Sequence, residues 1–147
     1  IIERASTMFD SIDVVVAVNP DKNYLFSDAE RLAMMQELTA SFTNVTVHCC
    51  ATLIVEYARA SGATVLLRGI RNADDFSYEF DLAMMNRYLN SAIETLFIPT
   101  EQKYVILRSS AIKELARFGG NISDMVPPNV AEALCKKFSL TKPINVI

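Results

Sequence analysis

Short apolar runs alternate along this chain with longer stretches in which apolar residues return every three or four positions, and polar loops part the two. Residues 13–18 (DVVVAV) are almost continuously apolar, which predicts a strand covered on both faces. Asn19-Pro20-Asp21-Lys22-Asn23 breaks that run as a loop. Ser27 followed by Glu30 is a capping-box pattern, and Leu32, Met35, Leu38 and Phe42 behind it share a helix face. Residues 45–48 predict a second strand, and residues 51–61 a helix closed by Gly62. Residues 64–67 predict a third strand, followed at once by Arg68-Gly69-Ile70-Arg71. Asp74 and Asp75 open a long helix reaching about Leu89, with acids at the favoured end of the dipole. Residues 95–98 predict a strand stopped by Pro99, and residues 104–107 an extended segment. Ser109 or Ser110 is expected to cap a helix ending at Gly119-Gly120, and Pro128 suits the first turn of a last one. Strand and helix alternate with helix-length crossovers, which predicts an α/β domain: a parallel sheet with helices on both faces.

The chain's opening adds one expectation. Ile1, Ile2, Ala5, Met8 and Phe9 recur at helical spacing with no capping residue ahead of them. The sequence therefore reads as a helix already under way, with about 20 residues expected before it, on the order of one strand and a glycine-rich turn.

Length bounds the chain to one domain, expected over residues 1–140 with a loosely held tail over 141–147. With 14 basic against 17 acidic residues it does not carry the broad positive face of a nucleic-acid binder. No apolar run is long enough for a membrane span. Cys49, Cys50 and Cys135 are odd in number and two are adjacent, so they predict buried thiols in a reducing compartment, the cytoplasm. With a single histidine, His48, and no Cys-x-x-Cys, no metal site is predicted. Met84 and Met85 are read as core packing.

Ligands of open parallel sheets bind beyond the carboxyl ends of the strands. Lys22 follows the first strand, Arg68 and Arg71 follow the third, and Arg108-Ser109-Ser110 follows the extended segment. Lysine offers a mobile charge, arginine a planar fork of donors, and serines at a helix start leave backbone N–H groups aimed at an anion. Taken singly, each is an ordinary surface residue or cap. Their convergence on one sheet edge is what points to a phosphate-bearing nucleotide. Asp75 and Glu79, four apart, share a face of the following helix. They form either a solvated acidic stripe or a wall from which Glu79 touches the ligand.

Arg68-Gly69-Ile70-Arg71, Asp75-Phe76-Ser77-Tyr78-Glu79 and Met85-Asn86-Arg87 together closely resemble the bacterial-type phosphopantetheine adenylyltransferases of coenzyme A synthesis. Asn19-Pro20-Asp21-Lys22, Glu94-Thr95-Leu96-Phe97, the run from Ser109 to Ala116, Gly119-Gly120 and Val126-Pro127-Pro128-Asn129-Val130 follow in the family's order. The resemblance runs from Ile1 to about Phe138. It implies a Rossmann-like fold of nucleotidylyltransferase type whose first strand, with its Gly-Thr-Phe-Asp-Pro and Gly-His signature, is absent from these residues. It also implies adenylyl transfer from ATP to 4′-phosphopantetheine with Mg2+, giving dephospho-CoA and pyrophosphate by direct attack.

By position in the motifs, the resemblance implies that Lys22, Ile54 and Arg68 bind phosphopantetheine. Gly69, Ile70, Arg71 and Glu79 would contact ATP, and Tyr104, Val105, Ile106, Leu107, Arg108, Ser109 and Ser110 would wrap its triphosphate. Lys22, Arg71 and Ser109 would act on the reacting phosphates. Arg108 departs from the family's usual serine or threonine. A homohexamer in the cytoplasm is implied, with neither nucleic acid nor membrane as partner. The alternative is a non-catalytic nucleotide or coenzyme A binding module on the same fold.

Overall fold

The computed structural model describes residues 1–138. The residues expected to form a tail, 141–147, lie outside the described ones. The elements run α1 (Ile2–Ser6), β1 (Ile12–Ala17), α2 (Asp28–Thr39), β2 (Val45–Cys50), α3 (Ile54–Ser61), β3 (Val65–Ile70), α4 (Ala73–Leu89), β4 (Glu94–Pro99), a 3-10 turn (Gln102–Tyr104), α5 (Ser109–Arg117) and α6 (Pro128–Lys137). This is the α/β class with parallel strands. Where the sequence predicts one domain, the chain gathers into two compact units, the first Ile1–Gln102 and the second beginning at Lys103.

In the first unit the strands form two parallel pairs rather than one sheet. β1 pairs with β2 from Ile12↔Val45 to Ala17↔Cys50. β3 pairs with β4 from Val65↔Glu94 to Ile70↔Pro99. Among the described residues no strand lies hydrogen-bonded between the pairs, so the single sheet is not formed.

Helices bridge the pairs instead. The guanidinium of Arg4 on α1 donates to the carbonyl of Pro99 at 2.6 Å. The Asn44 amide, just before β2, donates to the carbonyls of Ser6 and Phe9, each at 2.9 Å. The Ile1 side chain lies so close over Gly69 that a Cβ there would overlap it. On α3, Val55 and Ala58 bury against Ile93 with Leu66 of β3 alongside, while the Tyr57 hydroxyl donates to the Asp13 carboxylate of β1 at 3.0 Å.

Local signals explain the helix ends. The Ser27 capping box forms, with the Ser27 N–H donating to Glu30 at 2.7 Å and Glu30 N–H donating back to Ser27 Oγ at 3.2 Å. Gly62 closes α3 in the left-handed region at φ 77°, where a Cβ is unfavourable. Pro128 occupies the first turn of α6, where its missing N–H is no loss.

Several expectations need correction. α3 begins at Ile54 rather than at residue 51, and β2 continues through Cys50 because its ladder with β1 does. Cys50 is buried, but Cys49 is exposed on the alternate side of the strand and Cys135 is half-buried. Met84 and Met85 are 54% and 58% exposed, so they are not core. α4 has no buried residue at all, and its aromatic and aliphatic side chains lie largely open.

Candidate active site

The arginine-bearing segment is built differently from the expectation of a strand ending at residue 67. Pairing with β4 carries β3 through Ile70, and the N–H of Thr100 still donates to the Ile70 carbonyl at 2.9 Å. Arg68, Gly69 and Ile70 are therefore strand residues, and Arg71 is the first residue beyond the carboxyl end. Strand alternation separates Gly69 from Arg68 and Ile70, so Gly69 faces Ile1 while Arg68 faces the other way.

The chain then turns through Asn72, whose side chain accepts the Asp75 N–H at 2.9 Å and starts α4. That cap sets the helix phase, and Asp75 and Glu79, one turn apart, meet the two arginines. The Arg68 Nε and Nη2 both donate to Glu79, at 2.6 Å each. The Arg71 Nε and Nη2 donate to Asp75 at 2.7 and 3.0 Å, and the Arg71 backbone N–H adds a third bond to that carboxylate at 3.3 Å. The hydrogen bond that Arg68 donates to Glu79 raises the Arg68 pKa, and that donated to Asp75 raises the Arg71 pKa; burial opposes both. Both guanidinium groups thus remain charged at any physiological pH.

Of the two readings left open for Asp75 and Glu79, the solvated stripe is excluded: both carboxylates are engaged with cations. The Glu79 side chain is 14% exposed, against 48% for Arg68. The ring of Phe76, beside Asp75, meets Phe97 of β4 edge-on with centroids 5.3 Å apart, which holds the start of α4 against the sheet.

Lys22 stands exposed in the loop after β1. Its backbone is shaped by Asn19, whose side chain accepts the Asp21 N–H at 2.9 Å and whose carbonyl accepts the Lys22 N–H at 3.2 Å. Ile54 opens α3 and packs partly against the Val55–Ala58–Ile93 cluster. Among the described residues no hydrogen bond or ion pair joins Lys22 or Ile54 to the arginine pairs.

The remaining site residues begin the second unit. Residues 104–107 are not extended: Tyr104 ends a 3-10 turn, and its carbonyl accepts the Leu107 N–H at 3.1 Å. Lys103 lies over the Tyr104 ring at 4.8 Å. Val105 and Leu107 are half-buried, and Ile106 is exposed. Arg108, not a serine, is the N-cap of α5, and it makes no side-chain capping bond. Ser109 and Ser110 fall inside the first turn, so the leading N–H groups of α5 have no side-chain cap from Arg108.

Two features escaped the sequence. Arg31 on α2 donates twice to the Ala17 carbonyl at the end of β1, both at 3.1 Å, while pairing with Asp28 and lying over the Tyr24 ring. Its place 14 residues beyond the end of β1 gave no signal. The second is a polar network on β1–β2. Asp13 accepts from Thr46 Oγ1 at 2.8 Å and from Tyr57, and His48 Nε2 lies 3.0 Å from Thr46 Oγ1 and 3.6 Å from Asp13. The period-two spacing of Thr46 and His48 was the available clue. His48 lies inside β2, two residues short of its end.

Among the described residues no three His, Cys, Asp or Glu side chains group to hold a metal ion. No helix there is long and apolar enough to cross a membrane.

The family model described as cytidylyltransferase-like matches residues 1–115. The chain is 47% identical over 138 residues to a phosphopantetheine adenylyltransferase of Alkaliphilus oremlandii, covering 94% of this chain and 88% of that protein. The enzyme of the same name from Alkaliphilus metalliredigens is 42% identical, with 93% and 87% covered. That from Caldanaerobacter subterraneus is 44% identical, with 94% and 86% covered. A strand ending in two guanidinium groups, returned upon by a helix of matching acids, thus stands in a chain that belongs to the phosphopantetheine adenylyltransferase family of cytidylyltransferase-like nucleotidyltransferases.

Proposed function

We propose that this protein transfers the adenylyl group of ATP to 4′-phosphopantetheine, the penultimate step of coenzyme A synthesis, within an adenylyltransferase domain spanning residues 1–140. The observation that carries the reading is the pair of bidentate arginine–carboxylate clamps where β3 passes into α4. They set two permanent cations at a strand end, and the one serine of the motif around them, Ser77, is not joined to the chain's single histidine, His48, which lies against Thr46. Such a site suits transfer between phosphates, where the protein supplies position and charge rather than a covalent intermediate.

In this reading a phosphate oxygen of phosphopantetheine attacks the α-phosphorus of ATP. The new P–O bond forms as the bond to the bridging oxygen of the β-phosphate breaks, and pyrophosphate leaves with that electron pair. Lys22 and Arg68 hold the acceptor phosphate, and Ile54 lines the pantetheine channel. Gly69, Ile70 and Arg71 contact ATP together with Glu79. Residues 104–110 serve the triphosphate, for which the leading N–H groups of α5 and the hydroxyl of Ser109 are donors of the right kind. Lys22, Arg71 and Ser109 offset charge on the reacting phosphates.

Mg2+ fits as a companion of the nucleotide rather than as a caged ion, because the described residues offer no three-ligand cluster. When bound to the triphosphate it neutralises charge there. The open apolar surface of α4, with Tyr88 86% exposed, supports a homo-oligomer, which we take to be a hexamer. The setting is the cytoplasm.

ATP labelled at the α-phosphorus tests the reaction. The label should pass to dephospho-CoA in one step, with none retained on the protein. Label on the protein, or none on the acceptor, contradicts the mechanism.

A further inference from the structure

We propose that Glu79 is a positioning residue for the acceptor phosphate: it grips Arg68 by the Nε/Nη2 edge and so presents the Nη1/Nη2 edge for phosphate recognition. This rests on the reading of Arg68 as a phosphopantetheine ligand. It goes beyond a contact of Glu79 with ATP, because it gives Glu79 a second effect in the other subsite.

Three observations carry it. Both Glu79 oxygens accept from Arg68, at 2.6 Å each. Nη1 of Arg68 makes no hydrogen bond among the described residues, and a guanidinium gripped along one edge still offers a second two-donor edge. Third, Glu79 is itself fixed. Its helix is capped by Asn72, tied to the end of β3 by Asp75 and Arg71, and packed on β4 through Phe76 and Phe97. The clamp is therefore shielded on the acid side, at 14% exposure, and open on the arginine side, at 48%.

Two effects of the carboxylate oppose each other. Its negative charge repels an incoming phosphate, and its grip orders a side chain that is otherwise rich in rotamers. The phosphate would lie on the far edge of the guanidinium, with solvent at hand to screen the repulsion. Ordering the arginine in advance removes a cost that binding would otherwise bear. Orientation therefore outweighs repulsion, and removing the acid weakens anion binding.

The test is a double-mutant cycle in the full-length protein. Binding of 4′-phosphopantetheine is measured by calorimetry, alongside KM for both substrates and kcat, in Arg68→Ala, Glu79→Ala, Glu79→Gln and the Arg68→Ala/Glu79→Ala pair. Thermal melts accompany each. Arg68→Ala should weaken phosphopantetheine binding by about tenfold or more. Glu79→Ala should weaken it by about fivefold, whatever it does to KM for ATP, and should add nothing to that loss once Arg68 is gone. Glu79→Gln keeps an acceptor oxygen and should fall between wild type and Glu79→Ala; it carries the test if Glu79→Ala does not fold.

Tighter or unchanged phosphopantetheine binding in the Glu79 variants overturns the proposal, as does an equal loss in the Arg68→Ala background. A rise in KM for ATP alone also overturns it and returns Glu79 to the nucleotide. If Arg68→Ala binds phosphopantetheine normally, the subsite reading itself fails and the proposal falls with it.

Discussion

The two strand pairs of the first unit are alike in backbone and opposite in chemistry. Each is a parallel pair of six-residue strands in register. On β1–β2 the polar side chains answer one another: Asp13 accepts from Thr46 and Tyr57, and His48 leans on Thr46. On β3–β4 the charges gather toward the carboxyl end and are met by acids from the returning helix. A network that closes on itself ties elements together, here α3 to β1. An arginine held along one edge keeps donors in hand, and it can hold the fold and bind an anion at once. Both pairs are polar; only the second combines charge, a strand end and donors left over.

The largest effect expected from breaking this contrast is at Arg71. Arg71→Ala should weaken ATP binding by about 1.5–3 kcal/mol, the worth of hydrogen bonds to charged groups. Part of that reflects the stranded Asp75 carboxylate, so Arg71→Lys should recover charge without the fork and regain only a fraction. Titration of ATP into the three proteins checks it. Equal affinities remove Arg71 from the site.

A somewhat smaller and more selective effect is expected at Lys22. Lys22→Ala should raise the phosphopantetheine requirement by about tenfold and leave the affinity for ATP alone nearly intact. Its exposed loop makes no ion pair in the described residues, so stability should move by less than about 0.5 kcal/mol. Loss of ATP affinity as severe as that of Arg71→Ala would erase the division into two subsites.

On the closed network the expected change is in stability instead. Burial first, and the hydrogen bond to Asp13 second, hold the Tyr57 hydroxyl up at about 12. A raised pKa favours the protonated form in the folded protein. Its contribution is complete below the ordinary tyrosine value of about 10 and is lost as pH rises through about 12. Tyr57→Phe should therefore cost about 1 kcal/mol near neutrality. The gap to wild type should narrow between pH 10 and 12, as followed by denaturant unfolding. A gap that stays constant across that window would detach the hydroxyl from the network.

The smallest effect belongs to Gly69→Ala. The new methyl meets the far end of the flexible Ile1 side chain rather than backbone, so that chain can turn aside. A loss of about 1 kcal/mol or less is expected in a thermal melt.

Much of the fold could be read from the sequence because its signals are local. The Ser27–Glu30 capping box, Gly62 as C-cap and Pro128 at a first turn each depend on residues within one turn of one another. The i, i+4 spacing of Asp75 and Glu79 likewise placed them on one face before their partners were known. What escaped depends on register and tertiary contact. Whether β3 stops at residue 67 or runs to Ile70 is decided by its ladder with β4, across a long crossover. Residues 104–107 hold enough apolar and β-branched residues to suggest a strand, yet no ladder pairs them, and a tight turn forms. Met84 and Met85 have the composition of a core but are more than half exposed among the described residues. The Asp13–Tyr57 bond joins residues far apart in sequence, and no pattern within either segment announces it.

The central claim is that an acceptor phosphate, gathered by Lys22 and Arg68, is the nucleophile of an adenylyl transfer. The most direct test offers the full-length protein ATP together with either 4′-phosphopantetheine or pantetheine lacking the phosphate, and follows pyrophosphate and the adenylylated product together. The account predicts equal amounts of pyrophosphate and dephospho-CoA with phosphopantetheine, and neither product with pantetheine. Nucleotide binding without turnover in both mixtures, or turnover indifferent to the acceptor's phosphate, would contradict it.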